Sequence, residues 1–294
     1  MNGDLNRQTY DAIPRALDTY KIIGISTPAS GALKIDMLLN HGEARRQAIV
    51  VLDAFRCSST LLASFSAGAW GAVIKEKGVD RGVPIDVAEA LAARNGLTLQ
   101  LGGELHGKPV PGGIIANSPL EACLTAELEG CLLHFQSTNF ARIFIDLVEF
   151  AARCRAETDL YVISLANAVG TATALNRMGY DRVIVASGGF YEGVALEDVV
   201  AGGGFIDALG WDEAQIDDEA KTMVAAHRCY AGDPGIFHTS WTAKVLTKIG
   251  RGADIGDIVE GGRIPPEHQA RMSALVLCVR YLDETPILRP LTEE

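Results

Sequence analysis

Long uninterrupted apolar runs are missing from this 294-residue sequence. No uncharged apolar stretch reaches the roughly 18 residues that a membrane-spanning helix needs, and no apolar core of signal-peptide length opens the chain. Cysteines are few, at 6, and no two have the Cys-x-x-Cys spacing of a zinc ribbon or a thioredoxin-type pair. We therefore expect a cytoplasmic protein with reduced thiols and no membrane partner.

Basic residues are also scarce. The chain has 26 Lys and Arg against 37 Asp and Glu, which gives a formal net charge of −11. A nucleic-acid surface needs a basic footprint, so no nucleic-acid partner is expected. Proline is low at 11 residues and glycine high at 31, a combination that favours many tight turns between strands and helices. A chain of this length can bury a sizeable core without disulfides.

Several common catalytic and nucleotide-binding motifs are absent as well. The sequence contains neither Gly-x-x-x-x-Gly-Lys-Ser/Thr nor Gly-x-Gly-x-x-Gly, which argues against a P-loop and a dinucleotide fingerprint. The glycines at 202–204 have neither the spacing nor the preceding strand of such a site. A Gly-x-Ser-x-Gly nucleophile elbow is missing. Asp53 is followed two residues later by Phe55 rather than by a second Asp, so the haloacid-dehalogenase pattern fails.

The sequence does contain a recurring unit, in which a short apolar strand leads through a turn of small polar residues into a helix. The unit occurs at 48–74, 131–154 and 160–186. Strands that alternate with helices predict βαβ units and a parallel sheet covered on both faces. We therefore expect an α/β protein, a three-layer α/β/α sandwich with a largely parallel or mixed sheet. Further helices are predicted at 85–95, 196–209, 212–228, 241–249 and from 266 to 279, and a further strand at 98–104.

Polar residues follow the first strand at the point where ligands bind in open α/β sheets. Asp53 could hold Mg²⁺ or attack phosphorus, because a carboxylate is a hard ligand and can form an acyl phosphate. Arg56 could supply a bidentate guanidinium to an anion. Ser58, Ser59 and Thr60 would line the anion-binding end of the next helix. An alternative remains open, in which the hydroxyls cap the helix and Asp53 forms a local salt bridge with Arg56.

The segment 102–122 is unusually polar and rich in glycine and proline. It contains Glu104, Asn117 and Ser118, and long structured loops in compact domains are often functional. The same residues also fit a helix start, with Ser118 as the cap and Pro119 at the first helical position. Both interpretations stay open at this point.

Two other turns carry candidate ligand-binding groups. Thr138 and Asn139 follow the strand of the second unit, and Glu197 and Asp198 lie in the first turn of the helix predicted at 196–209. Acidic residues in a first turn are favoured by the helix dipole alone, so a structural role for the acidic pair stays open.

Four short motifs in this order resemble those of the 2-phosphosulfolactate phosphatase family. They are Asp-x-Phe-Arg-x-Ser-Ser-Thr (53–60), Gly-Gly-Glu with Asn-Ser-Pro-Leu-Glu (102–121), Ser-Thr-Asn-x-x-Arg (137–142) and Ala-Leu-Glu-Asp (195–198). The stretch 33–39 also looks like that family's first strand. Residues 1–32 would then be an N-terminal extension, and 33–294 a single α/β phosphatase-like domain.

The resemblance implies a Mg²⁺-dependent phosphatase that hydrolyses 2-phospho-3-sulfolactate or a related 2-phosphorylated hydroxy acid. Its substrate would be a small anion, and assembly into a homo-oligomer stays open. The implied metal ligands are Asp53, Glu104 and Asp198, which with Arg56 would form the catalytic set. The implied substrate-binding residues are Ser58, Ser59, Thr60, Asn117, Ser118, Thr138, Asn139 and Arg142.

Three positions depart from the family pattern. Ile114 stands where the family has Asp, Phe140 where it has Gly, and Ala141 where it has Thr. Phe140 would fill space at an anion-binding turn or exclude a positive φ there. The departures motivate an alternative, a member that has lost catalysis and binds a small phosphorylated or sulfonated acid. A different reaction of a related acid on the same scaffold is a third possibility.

Overall fold

The computed structural model describes residues 20–27, 31, 34–35, 38–39, 44–105, 107–189, 193–230 and 233–291. Its strands are β1 (Ile22–Ile25), β2 (Arg46–Leu52), β3 (Gly71–Glu76), β4 (Thr98–Leu105), β5 (Lys108–Pro109), β6 (Cys131–Ser137), β7 (Glu157–Ile163), β8 (Arg182–Ser187), β9 (Leu277–Leu282) and β10 (Thr285–Pro290). Its helices are α1 (Cys57–Ser66), α2 (Ile85–Arg94), α3 (Pro119–Leu124), α4 (Asn139–Arg153), α5 (Ala168–Met178), α6 (Leu196–Leu209), α7 (Asp218–Tyr230), α8 (Gly235–Thr239), α9 (Trp241–Lys248), α10 (Ala253–Val259) and α11 (Pro266–Ala274).

All ten strands form one mixed sheet in the order β1-β8-β2-β7-β9-β10-β3-β6-β4-β5. Two blocks are parallel, β1-β8-β2-β7 and β3-β6-β4. The C-terminal hairpin β9-β10 lies between them and pairs antiparallel with β7 on one side and β3 on the other. The prediction of a largely parallel or mixed sheet is confirmed, and the chain's last two strands join its two parallel halves.

Helices cover both faces of the sheet. In β2, Ile49 and Val51 point into the core beneath α1 and α4, while Val50 and Leu52 point into a second core beneath α6 and α7. This alternation is the period of a strand that is buried on both sides. The three-layer α/β/α arrangement is therefore confirmed. Among the described residues, no helix is long and apolar enough to cross a membrane.

The described residues of the segment 33–39 do not form a strand, which corrects the prediction. Its described residues, Lys34, Ile35, Leu38 and Leu39, are helical. The apolar spacing at 35, 38 and 39 follows one face of a helix, and Leu38 is buried against the core. The strand described in this region is β1, which pairs with β8 and lies within the segment interpreted as an extension.

The helix predicted from 266 to 279 is shorter in the structure. Helix α11 ends at Ala274, and Leu277 and Val279 belong to β9, where they pair with Pro290 and Leu288. Apolar residues at 275 and 279 fit a helix as well as a buried strand, and pairing with β10 decides for the strand. Within 212–228, Glu213–Gln215 forms a short 3₁₀ turn and the α-helix begins at Asp218. The helices predicted at 85–95, 196–209 and 241–249 and the strand at 98–104 are confirmed.

The glycines at 202–204 serve helix packing rather than nucleotide binding. A Cβ on Gly203 would lie 2.0 Å from the carbonyl oxygen of Met223 in the neighbouring helix α7. We expect Gly203→Ala to lower the free energy of unfolding by about 2 kcal/mol or more, because overpacking forces the two helices apart. The matched control is Gly256→Ala in α10, where a Cβ has no neighbour within 4 Å and no loss is expected. Urea denaturation measures both, and equal stabilities would contradict the packing argument.

Candidate active site

A cavity of about 180 Å³ opens at the carboxyl ends of the parallel strands. Asp53 follows β2, Lys77 follows β3 and Thr138 follows β6, while Glu104 is the penultimate residue of β4. Parallel strands end at one edge of a sheet, so residues far apart in sequence meet there. The structure therefore brings predicted residues from all four motifs to one place.

Three buried carboxyl groups, those of Asp53, Glu197 and Asp198, line one side of the cavity. Asp198 accepts hydrogen bonds from the backbone N–H groups of Ala54, at 2.8 Å, and Gly189, at 3.1 Å, and so joins the turns after β2 and β8. Oε2 of Glu197 is buried and has no hydrogen-bond partner among the described residues.

The acidic side of the cavity is electrostatically unfavourable as it stands. Burial, reinforced by the Glu197 carboxylate, raises the pKa of Asp53 to about 7. Burial and the Asp53 carboxylate likewise raise the pKa of Asp198 well above its ordinary value. Like charges in a low-dielectric site disfavour each other's ionised forms, so the carboxyl groups of Asp53 and Asp198 hold protons more readily than exposed ones. A cation placed among them would relieve this repulsion.

Arg56 lies across the cavity between two carboxylates. Its Nη1 donates to Oδ2 of Asp254 at 2.8 Å, and its Nη2 pairs with Glu104. Asp254 is buried and also accepts from Oγ of Ser118 at 3.0 Å, while Glu104 also accepts from the backbone N–H of Gly107. The guanidinium is therefore held rigidly, and Nε, which is buried, has no partner in the described part of the chain.

The hydroxyls of Ser58, Ser59 and Thr60 do not line this cavity, contrary to expectation. All three are buried and donate back to the carbonyls of Asp53, Ala54 and Arg56, respectively. The structural alternative also fails in part, because no side chain caps the N-terminus of α1 and the ion pairs of Arg56 are with Glu104 and Asp254 instead of Asp53. The hydroxyls satisfy the backbone of the turn that presents Asp53.

Two other predicted binding residues also lie outside the cavity lining. Arg142 is half-buried on α4, and Ser118 is directed at Asp254. Ser118 occupies the N-cap position of α3 but makes no capping hydrogen bond. Asn117, Thr138 and Asn139 do line the cavity, as expected. Arg142 therefore lies outside the cavity lining, and its role in substrate binding stays a prediction.

Sequence reasoning missed Lys77, a cationic residue of the cavity lining. It directly follows β3, the same strand-end signal that singled out Asp53. Glu197 stands beside Asp198 in the fourth motif and could have been chosen on that ground. Asp254 lies 198 residues beyond Arg56 and carries no local signal, because only the tertiary fold brings α10 to the turn after β2.

The three residues that depart from the family pattern do not line the cavity. Phe140 is fully buried in α4 and stacks on Phe144, with ring centroids 5.4 Å apart. Ala141 is also fully buried, and Ile114 packs against the same core. Residue 140 lies in a helix and does not adopt a positive φ, so its backbone conformation does not require a glycine. The observation that motivated a non-catalytic member therefore concerns the core and not the cavity.

The sequence model of the family described as 2-phosphosulpholactate phosphatase matches residues 35–263. A probable 2-phosphosulfolactate phosphatase of Thermus thermophilus is 26% identical over 230 residues, covering 76% of this chain and 87% of the relative. One of Carboxydothermus hydrogenoformans is 28% identical over 229 residues, with the same coverage of 76% and 87%. One of Caldicellulosiruptor saccharolyticus is 26% identical over 214 residues, covering 70% and 81%.

Proposed function

Because the chain belongs to the 2-phosphosulfolactate phosphatase family, a family of phosphoric monoester hydrolases, we propose that its cavity hydrolyses a 2-phosphorylated hydroxy acid with the help of Mg²⁺. The proposed substrate is 2-phospho-3-sulfolactate or a close relative, and the products are the hydroxy acid and inorganic phosphate. The observation that carries this proposal is the meeting of Asp53, Glu197 and Asp198 with Arg56 and Lys77 at the strand ends.

The donor set is compatible with Mg²⁺. Mg²⁺ in phosphoryl-transfer sites is bound by one or two carboxylates together with waters and substrate oxygens. The partnerless Oε2 of Glu197 and the buried carboxyl of Asp53 are hard donors of this kind. Within the described ranges, no group of three or more His, Cys, Asp or Glu side chains could by itself hold a metal ion. A complete protein cage is not required for this ion.

Glu104 fits the proposed metal set less well than Glu197 does. Its carboxylate is engaged by Arg56 and by the N–H of Gly107. Asp198 already accepts two backbone N–H groups, so in this proposal it fixes the two turns that present the site. When bound, Mg²⁺ would supply positive charge to the phosphate oxygens.

In this proposal Asp53 starts the reaction. In one route its carboxylate bonds to phosphorus as the ester P–O bond breaks, and water then releases phosphate from the acyl phosphate. In the other route Asp53 takes a proton from water as the water oxygen bonds to phosphorus and the ester P–O bond breaks. In both routes the leaving alkoxide of the hydroxy acid takes a proton from solvent water. Arg56 and Lys77 bind and orient the substrate anions, assisted by the N-terminus of α4 at Thr138 and Asn139.

Phosphate release from 2-phosphorylated hydroxy acids tests this function directly. We expect turnover with added Mg²⁺ and its loss in excess EDTA, with recovery when Mg²⁺ is restored. Inorganic phosphate would be measured colorimetrically against a no-enzyme blank. Thermal stabilisation by these esters without any phosphate release would contradict the proposal and support the non-catalytic alternative. Turnover that is indifferent to EDTA would contradict the role of the metal.

A further inference from the structure

One wall of the cavity is apolar. Helix α9 and its C-cap residue contribute side chains with the spacing i, i+3, i+4 and i+7, which is one face of a helix. These residues are Thr242, Val245, Leu246 and Ile249. Phe55 continues the wall and packs edge-on against Phe237, with ring centroids 6.1 Å apart. Ile249 keeps 42% of its surface exposed.

Positive charge in the cavity is limited. The Lys and Arg side chains among its described lining residues are Arg56 and Lys77. Arg56 is already shared between Glu104 and Asp254, whereas Lys77 makes no ion pair with a described residue. Arg142, once expected to be a further cation here, does not line the cavity. A bound divalent ion would be taken up by the phosphate and the carboxyl groups around Asp53.

The substrates under consideration share a phosphate and a carboxylate and differ at C3. The phosphate and the carboxylate bind the cationic groups and the strand-end turns. The C3 substituent therefore contacts the remaining wall, which is formed by α9. A sulfonate is always ionised, and an ionised group that loses water against apolar side chains without a counter-charge is strongly disfavoured. An alkyl group gains from the same contact.

We propose that this phosphatase prefers 2-phosphorylated hydroxy acids with an alkyl substituent, such as 2-phospholactate or the phosphate ester of 2-hydroxybutyrate, over the sulfonated ester. This inference rests on the proposed phosphatase function and narrows its substrate class. The residues that set the preference are Val245, Leu246 and Ile249, on the wall that α9 presents to the cavity.

The test compares kcat/KM for the three esters with Mg²⁺. We expect the alkyl esters to exceed 2-phospho-3-sulfolactate by about 10- to 100-fold, the range over which an apolar pocket discriminates its ligands. Ile249→Lys places a cation on the wall and should shift the ratio about tenfold toward the sulfonated ester. This substitution is at an exposed helix end, where a lysine is also favoured by the dipole.

Thr247→Lys is the matched control. It adds the same charge to the same helix at an exposed residue that does not line the cavity, so the wild-type ratio should persist. Equal or better turnover of the sulfonated ester by the wild-type enzyme overturns the preference while leaving the phosphatase function intact. A ratio that shifts equally in both lysine variants overturns the role of the α9 wall. Absence of turnover with all three esters overturns the proposed function and this inference with it.

Discussion

Asp53→Asn is expected to reduce phosphatase activity by about 10³-fold or more and, at the same time, to make the protein more stable at pH 8. The amide can neither bond to phosphorus nor accept a proton from water. It keeps an oxygen that can accept the backbone N–H of Cys57, as the carboxylate does. The activity of the purified variant would be measured by phosphate release at saturating Mg²⁺.

The gain in stability follows from the raised pKa of Asp53. Between the ordinary pKa near 4 and the folded-state value of about 7, the native protein retains a proton that the unfolded chain has released. The free energy of unfolding therefore falls as pH rises through this window, and the penalty is complete above it. Asparagine carries no charge, so the variant does not lose stability in this way. Its free energy of unfolding should exceed that of the wild type by about 1–4 kcal/mol at pH 8 and by little at pH 4.

Thermal unfolding at pH 4, 6 and 8 in EDTA measures this effect. The difference in Tm between the variant and the wild type should grow with pH. Asp159→Asn, at a half-buried carboxyl outside the cavity, is a suitable comparison, since it should not reproduce that trend. Full activity in Asp53→Asn would contradict its role in the reaction. A constant difference in Tm across the three pH values would contradict the electrostatic explanation.

Arg56→Ala is expected to lower the free energy of unfolding by about 3–5 kcal/mol, because the buried carboxylate of Asp254 loses its closest counter-charge and keeps the more distant Arg263, at 3.9 Å. Activity should fall by about 10²-fold or more, through loss of a fixed cation at the phosphate site. Arg81→Ala is the control. Arg81 pairs with three carboxylates, but it lies at the surface, where such pairs contribute roughly 0–1 kcal/mol.

A double variant separates stability from activity at this position. Adding Asp254→Asn to Arg56→Ala removes the buried negative charge of Asp254, which has lost its closest partner. The double variant should recover part of the lost stability, while its activity stays low. Urea denaturation and phosphate release would be measured for each single variant and for the pair. A loss of stability in Arg56→Ala no greater than that in Arg81→Ala would show that the buried ion pair does not hold this part of the fold.

Local sequence patterns were sufficient to predict most of the architecture. Continuous apolar strands such as β2 and β8 predict burial on both faces, and the small polar residues after them predict the strand-end site that Asp53 occupies. The pattern was insufficient at 33–39 and at 277–279. In those segments short apolar runs fit a helix and a strand equally well, and pairing or packing with distant segments made the choice.

The sequence by itself determined the fold class and the candidate carboxylates, because the hydrophobic periods of strands and helices and the residue preferences of turns depend on neighbouring residues. Tertiary structure alone decided which of the polar residues meet. It turned Ser58, Ser59 and Thr60 toward their own backbone, kept Arg142 out of the cavity lining, and brought Lys77 and the apolar face of α9 to the site. It also placed Asp254 on Arg56 across 198 residues of chain. Such contacts depend on the order of strands in the sheet, which no local periodicity encodes.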